Sequence, residues 1–232
     1  MLFAIATVET YRVPAAPAFQ KPDLARLIFF HLPCAITATL FLFFGSYLSL
    51  RYLLAKTPDW DVRATTANEL GSLLAVLTMI TGVLFSKVQW GAWWQWDPRQ
   101  TSFLMLLLLY AAYFALRGGI ADPIRRAANS AAYSVAMVLP TIFLVFVFPR
   151  LPQVQSFHPS NTVAGGGFDA NYGRLLGVLM VLMFGLTVLL YKMQVRASAL
   201  ELKLEEIDAG LDDRGDGAAR GVVRPVSVSK TD

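Results

Sequence analysis

The chain has 232 residues, of which 56% are hydrophobic and 16% charged, and its mean hydropathy is +0.51. Soluble domains carry roughly 25% charged residues, so the composition excludes an ordinary soluble domain. The formal net charge of +4 arises from residues between apolar blocks, and it does not predict nucleic-acid binding. About 20 apolar residues span a bilayer, and such segments are helical because every backbone polar group must be satisfied internally.

Five apolar blocks are long enough to cross a membrane. In chain order they cover residues 28–50, 67–85, 101–116, 131–148 and 175–191. The third block reaches full length if Arg99 and Arg117 extend from its ends toward water. Pro140 lies inside the fourth block and predicts a break in that helix. The sequence therefore predicts an all-α, polytopic transmembrane helix bundle with five spans.

Basic residues in the loops predict the orientation. Five predicted spans place three connecting or terminal segments on each side of the membrane. Lys and Arg are slightly more frequent on the side that comprises residues 51–66, 117–129 and the segment after 191. The positive-inside rule then predicts a cytoplasmic carboxyl terminus, and outer positions for residues 1–27, 86–100 and 149–174.

The segment after the last span has a different pattern. Leu200, Leu204, Ile207 and Leu211 recur at helical spacing among charged residues. This spacing predicts an amphipathic helix, either on the membrane surface or against a partner. The Gly- and charge-rich stretch from Asp212 onward predicts disorder.

Four of the five tryptophans lie within residues 90–96. Tryptophan is enriched at membrane interfaces, which would account for one or two of them. If the segment is helical, Trp90, Trp93, Trp94 and Asp97 share one face, while Trp96 points aside. Asp97 also has the position of a helix N-cap, with Pro98 as the first helical residue and Gln100 as the partner in a capping box.

The chain has two histidines and one cysteine. Cys34 lies in the first span and is interpreted as a small buried apolar residue; the sequence has no C-x-x-C-H motif for covalent haem. His31 and His158 both fall on the tryptophan side of the predicted topology. His31 is either functional or bonded to a backbone carbonyl. His158 is either functional or a solvated loop residue.

The string at residues 90–101 resembles the tryptophan-rich "WWD" signature of haem-handling proteins in cytochrome c biogenesis. It is most similar to cytochrome c maturation protein C, also called haem exporter protein C. His31-Leu32-Pro33 resembles a family motif at the start of a helix, and His158 matches a second family histidine in placement. The positions of the signature that match are Trp90, Gly91, Trp93, Trp94, Trp96, Asp97, Arg99 and Thr101.

The resemblance implies a function. Such a protein binds haem non-covalently at the outer face of a bacterial inner membrane, with the tryptophan segment against the macrocycle. His31 and His158 would be the axial ligands of the iron, and Arg99 or Lys87 would pair with the propionates. Haem would then pass to a periplasmic chaperone, cytochrome c maturation protein E, in concert with transporter-like maturation subunits A, B and D. No catalytic step is implied.

The resemblance also implies a division of the chain. Residues 1–27 form an outer amino-terminal segment, and residues 28–192 form the transmembrane haem-handling domain, with outer loops at 87–101 and 149–174. Residues 193–232 form a cytoplasmic tail, amphipathic and then disordered. The family usually has six helices, and the one before the first histidine has no counterpart here. We expect either a start upstream of Met1 or the loss of that helix in this branch.

Two other functions remain open at this stage. Pro98 and Gln100 differ from the usual signature, and a "WDP" string is typical of the related haem attachment proteins, so a CcsA-like component of haem–apocytochrome c ligation is one alternative. The loop around His158 lacks the tryptophan-rich run of the exporter family. The other alternative is a membrane subunit that binds no haem and uses the tryptophan loop for anchoring or docking.

Overall fold

The computed structural model describes residues 1–14, 16, 19–158 and 168–220. These residues form helices joined by short connections. The α-helices are α1 (Leu2–Glu9), α2 (Ile28–Ala55), α3 (Pro58–Trp90), α4 (Pro98–Gly118), α5 (Pro123–Ala136), α6 (Val138–Ile142) and α7 (Ala170–Arg220). A 3-10 helix (Pro22–Leu27) leads into α2, and α6 continues through a π-helical segment (Phe143–Val147) and a 3-10 turn (Phe148–Arg150).

Five helical segments are long and apolar enough to cross a membrane, which confirms the predicted all-α polytopic bundle. They are Pro22–Ala55, Pro58–Trp90, Pro98–Gly118, Pro123–Arg150 and Ala170–Glu205. Most are longer than the apolar blocks of the sequence, because the helices continue into the polar residues that flank each block. The structure contains each predicted block within one of these segments.

Proline begins the three spans that follow α2. Pro58, Pro98 and Pro123 each occupy a first helical turn, where the absent N–H is not needed. Asp122 caps α5 by accepting a 2.7 Å hydrogen bond from the N–H of Arg125. Lys56 ends α2 in the left-handed conformation (φ 56°). These signals lie in the sequence itself, so the helix starts are locally determined.

The break predicted at Pro140 is confirmed. The α-helical hydrogen bonding of the fourth span is interrupted at Met137, becomes π-helical over Phe143–Val147, and ends in the 3-10 turn. A proline removes one backbone donor and crowds the carbonyl four residues earlier. A wider helical turn can absorb this disturbance.

The antiparallel pair of α2 and α3 forms the centre of the bundle. Phe41 and Leu48 of α2 pack against Ala64, Ala67 and Leu70 of α3. Gly71 lets the helices approach closely, because a Cβ there would stand 2.8 Å from the Leu42 side chain. Cys34 lies in the neighbouring core cluster and is buried, as its sequence position predicts.

The last helix is longer than the sequence predicts. α7 runs without interruption from Ala170 to Arg220, so the amphipathic segment after the fifth span continues that span. Leu200, Leu204 and Ile207 are exposed on it. Residues 212–220, for which we predict disorder, are helical in α7, so that part of the prediction is wrong; residues 221–232 lie outside the described residues.

The amino-terminal segment packs on the same end of the bundle as the tryptophan loop. The Gln89 side chain makes two 3.0 Å hydrogen bonds to the backbone of Lys21, accepting from its N–H and donating to its carbonyl. Tyr172 of α7 donates to the carbonyl of Ala25 at 3.1 Å. The start of α2, and with it His31, is therefore fixed against α3 and α7.

Candidate functional site

A cavity of about 560 Å³ opens at the end of the bundle where the tryptophan segment lies. Its size is within the range of about 300–1,000 Å³ that is typical of ligand sites. Its walls come from the first four spans, and the 151–158 loop closes one side. Most of the lining is apolar; the polar side chains are His31, Thr39, Thr78, Asp97, Arg99, Gln100, Ser102, Arg150 and His158.

His31 projects from the first turn of α2 into this cavity. Its Nδ1 lies 3.1 Å from the carbonyl oxygen of Thr78 and 3.1 Å from the hydroxyl of Thr81. Because a carbonyl only accepts, Nδ1 carries the hydrogen of the Thr78 bond, and Nε2 keeps its lone pair. Metal-binding histidines are commonly fixed in this way by a backbone carbonyl.

Gly82 makes room for the imidazole of His31. A Cβ built on Gly82 would lie 3.0 Å from Cε1 of His31, closer than two carbons normally approach without displacement. One turn of α3 thus sets the place of this ring through the Thr78 carbonyl and the bare Gly82 backbone. The backbone-carbonyl bond considered for His31 is present, but the sequence did not identify Thr78 or Gly82, since both contacts depend on the packing of α3 against α2.

His158 lies across the cavity from His31, in the loop after the fourth span. Burial lowers the pKa of His158 to about 4, and the guanidinium groups of Arg99 and Arg150 act in the same direction. The imidazole is therefore neutral at pH 7, which is the form that binds metal ions. The solvated-loop interpretation of His158 is wrong, because the ring lines the cavity.

The two imidazoles face the same space. Their ring centroids are 6.5 Å apart and their planes are inclined by 44°. Two imidazoles on one metal ion, with bonds of about 2 Å and about 1 Å more from nitrogen to ring centre, have centroids about 6 Å apart. The observed centroid separation is close to the value expected for two imidazoles that bind one metal ion.

Asp97 positions the His158 loop as well as a helix. As predicted, it is the N-cap of α4, where Oδ1 accepts from the N–H of Arg99 at 2.9 Å. Its other oxygen accepts from the Ser156 hydroxyl at 2.8 Å and from the Phe157 N–H at 2.7 Å. Asp97 is buried, and it thus joins the tryptophan segment to the residue just before His158.

The capping box is not formed as predicted. Gln100 accepts from the N–H of Gln95 at 3.2 Å, two residues before the N-cap, instead of closing the box on Asp97. The Gln100 oxygen that the box would use is engaged instead by the loop before the cap. Gln100 therefore stabilises the loop.

The predicted face of three indoles is wrong, because the segment is not helical. Gly91 ends α3 in the left-handed conformation (φ 85°), and α4 begins only at Pro98. Trp90 alone of the four lines the cavity, where its ring packs between Phe85 and Phe157. Trp96 also adopts a positive φ of 54°, a backbone conformation that is unfavourable for a bulky residue.

The other three tryptophans stand outside the cavity lining. Trp93 and Trp96 are 54% and 76% exposed, and Trp94 packs edge-on against Trp96 with centroids 5.8 Å apart. The segment thus divides into one tryptophan in the wall of the cavity, two exposed tryptophans and the half-buried Trp94.

Two arginines line the cavity, and only one of them was a candidate from the sequence. Arg99 lies at the start of α4, as predicted, and Arg150 lies at the end of the fourth span. Lys87 does not line the cavity; its ammonium group donates to the carbonyl of Gly91 at 2.9 Å and lies over the Trp93 ring. Arg150 could have been suspected from its position at the same side of the predicted membrane.

The fold and the cavity define a polytopic helical membrane protein with a site between its first four spans. The chain belongs to the Heme exporter protein C family, since that family's model matches residues 1–210. The resemblance drawn from the tryptophan segment is therefore confirmed at the level of the family, which indicates a multi-pass inner-membrane protein.

Curated relatives carry the same family name. The Heme exporter protein C of Bradyrhizobium diazoefficiens is 30% identical over 199 residues, which are 84% of this chain and 73% of that protein. The protein of that name from Escherichia coli (strain K12) is 31% identical over 153 residues, 63% of this chain and 59% of the relative. The one from Paracoccus denitrificans is 35% identical over 105 residues, so the match spans 44% of the relative's length.

Proposed function

We propose that this protein holds haem at the outer face of the membrane during cytochrome c biogenesis and delivers it to a periplasmic haem chaperone, cytochrome c maturation protein E. The observation that carries the proposal is the pair of facing imidazoles, His31 and His158, whose centroid separation fits two axial ligands of one iron. Membership of the Heme exporter protein C family supports haem as the cargo. Maturation subunits A, B and D would be its partners in the membrane.

The cavity fits a large apolar ligand with a charged edge. Its walls are mostly apolar, which suits burial of a macrocycle. Trp90 offers an indole face against that macrocycle, while the cations lie on one rim. The chain's residues bind and orient the haem; we assign no bond-making step to any of them. The protein would be a haem carrier and not an enzyme.

The exposed tryptophans suit the transfer of haem. Trp93 and Trp96 stand in solvent beyond the rim of the cavity, where an incoming chaperone could cover them. Large aromatic side chains are enriched at protein interfaces. We therefore assign Trp90 to haem retention, and Trp93, Trp94 and Trp96 to contacts made while haem leaves.

Purification tests the function directly. The full chain, co-expressed with the maturation subunits, should carry a haem Soret band with the spectrum of a bis-histidine complex. His158→Ala should alter this spectrum while the variant remains folded in detergent, as judged by size exclusion and thermal unfolding. A preparation without haem, and without affinity for added haem, would contradict the proposal.

A second experiment tests delivery and orientation. A reporter inserted at Gln153 should be accessible from outside intact cells, while a tag at Asp232 should not. Trp96→Ala should keep its haem but release it to the chaperone more slowly than the wild type does. The opposite accessibility would place the site on the cytoplasmic face and overturn the delivery step. Covalent haem transfer to apocytochrome without the chaperone would favour the attachment reaction instead.

A further inference from the structure

Arg150 lies at the mouth of the cavity, where one nitrogen of its guanidinium group is hydrogen-bonded to the backbone. Its Nη1 donates to the carbonyls of Val145 and Phe146 at 3.0 and 2.9 Å. These carbonyls belong to the π-helical segment, so the break caused by Pro140 supplies the acceptors that orient the side chain. The residue is exposed and lines the cavity. The Nε and Nη2 donors form the remaining edge of the planar group.

The charge balance of the cavity favours an anionic group at this rim. Asp97 is the acidic residue in the lining, and both of its oxygens accept hydrogen bonds from neutral backbone or hydroxyl donors. The lining cations are Arg99 and Arg150. Among the described residues, no carboxylate forms an ion pair with Arg150.

We propose that Arg150 binds a carboxylate of the macrocycle at the rim of the cavity, as the outer member of a two-arginine subsite with Arg99. The inference rests on the proposed function and names a residue that holds the polar edge of the same ligand. A guanidinium edge with two parallel donors matches a carboxylate. Haem has two carboxylates, and two lining arginines match that number.

The contacts of Lys87 make it a poorer candidate than Arg150 for binding a carboxylate of the macrocycle. Its ammonium group caps the end of α3 through the Gly91 carbonyl and lies 5.7 Å from the Trp93 ring centre. Both contacts are outside the cavity lining. Lys87 is therefore a matched control: it is a cation at the same end of the bundle, and its removal should not affect the carboxylates of a bound macrocycle.

Haem and its dimethyl ester separate carboxylate recognition from binding of the macrocycle. Soret titrations of the purified complex should show haem bound about 100-fold more tightly than the ester, since the charged hydrogen bonds to both arginines are lost in the ester. Arg150→Gln removes one of the two contacts, so it should lower haem affinity by about tenfold, leave ester affinity unchanged, and keep the Soret maximum in place. Arg150→Lys should retain an intermediate preference, and Lys87→Gln should behave as wild type.

The titrations distinguish a failure of the arginine subsite from a failure of the proposed haem function. If the wild type binds haem and its ester equally, or if Arg150→Gln weakens both to the same extent, the subsite is refuted while the proposed haem function stands. If Lys87→Gln removes the preference and Arg150→Gln does not, the cation is wrongly assigned. If neither compound binds the wild type at all, the proposed function fails and the subsite with it.

Discussion

The polar side chains at the two ends of the bundle have different surroundings: at one end they line a cavity, and at the other they bond to one another. At one end, His31, His158 and Arg150 converge on a cavity and direct donors or lone pairs into it. At the other end, Asp61 and Arg117 form a two-point ion pair with distances of 2.7 and 2.9 Å. Both sets lie near the ends of spans, so proximity to water does not explain the difference.

The paired end shows what a structural polar cluster looks like in this chain. Two helical turns deeper in the bundle than Asp61, the Ser46 hydroxyl donates to the carbonyl of Ser134 at 2.8 Å, and the Asn68 amide donates to the Ser134 hydroxyl at 3.1 Å. These groups bond to one another across α2, α3 and α5. Such contacts stabilise helix association in a membrane, so the polar groups there serve packing, whereas those around the cavity suit a ligand.

The largest expected effect is on the cavity end. His31→Ala should lower haem affinity by at least about 100-fold, since even residues that only support a metal ligand cost about 10- to 100-fold. The measurement is Soret titration of the detergent-purified variant beside the wild type. Retention of wild-type affinity and spectrum in a folded His31→Ala protein would remove this histidine from the site.

Asp97→Ala tests whether the cap of α4 also positions the second ligand. The change removes the acceptor for Ser156 and Phe157, which should free the loop that carries His158. We expect haem affinity to fall by about 10- to 100-fold, with a spectrum that approaches that of His158→Ala. Asp122→Ala removes a comparable N-cap from α5 and serves as the control; an equal loss there would mean that capping alone matters.

Gly82→Ala should have a smaller effect, because it would displace the proposed ligand His31 without deleting it. The added methyl group would stand 3.0 Å from Cε1 of His31, and the ring must shift or the helices must part. We expect about a tenfold loss of haem affinity, the low end of the range for perturbing the support of a ligand. Gly185→Ala faces open space and should bind haem as the wild type does. Equal affinities in the two variants would show that the ring has room to move.

The smallest effect on haem is expected at the paired end. Asp61→Ala leaves the guanidinium of Arg117, whose side chain is 18% exposed, without its partner. Loss of one member of a largely buried pair typically lowers the free energy of unfolding by about 3 kcal/mol, so thermal unfolding in detergent should occur at a lower temperature. Haem affinity should not change. A large loss of haem affinity in a folded Asp61→Ala protein would end the functional distinction between the two ends.

The sequence identifies most of the residues around the cavity, but it does not predict how each of them is placed there. Asp97 was correctly placed as an N-cap, because capping depends on a few neighbouring residues. The sequence pattern predicts one helical face for Trp90, Trp93 and Trp94. This prediction is wrong because α3 ends at Gly91, and α4 begins only at Pro98. Sequence spacing alone does not position His158, because its loop is held by hydrogen bonds from Ser156 and Phe157 to Asp97, about 60 residues earlier in the chain.

The sequence by itself determined the five spans, the proline starts of the second, third and fourth spans, the break near Pro140 and the family. These features are local: a membrane requires each segment to satisfy its own backbone hydrogen bonds, and caps and prolines act within one turn. Only the tertiary structure decided that His31 faces His158, that Trp90 alone of its cluster lines the cavity, and that Arg150 joins Arg99 there. Those relations join segments far apart in the chain, and they depend on which helix faces pack together.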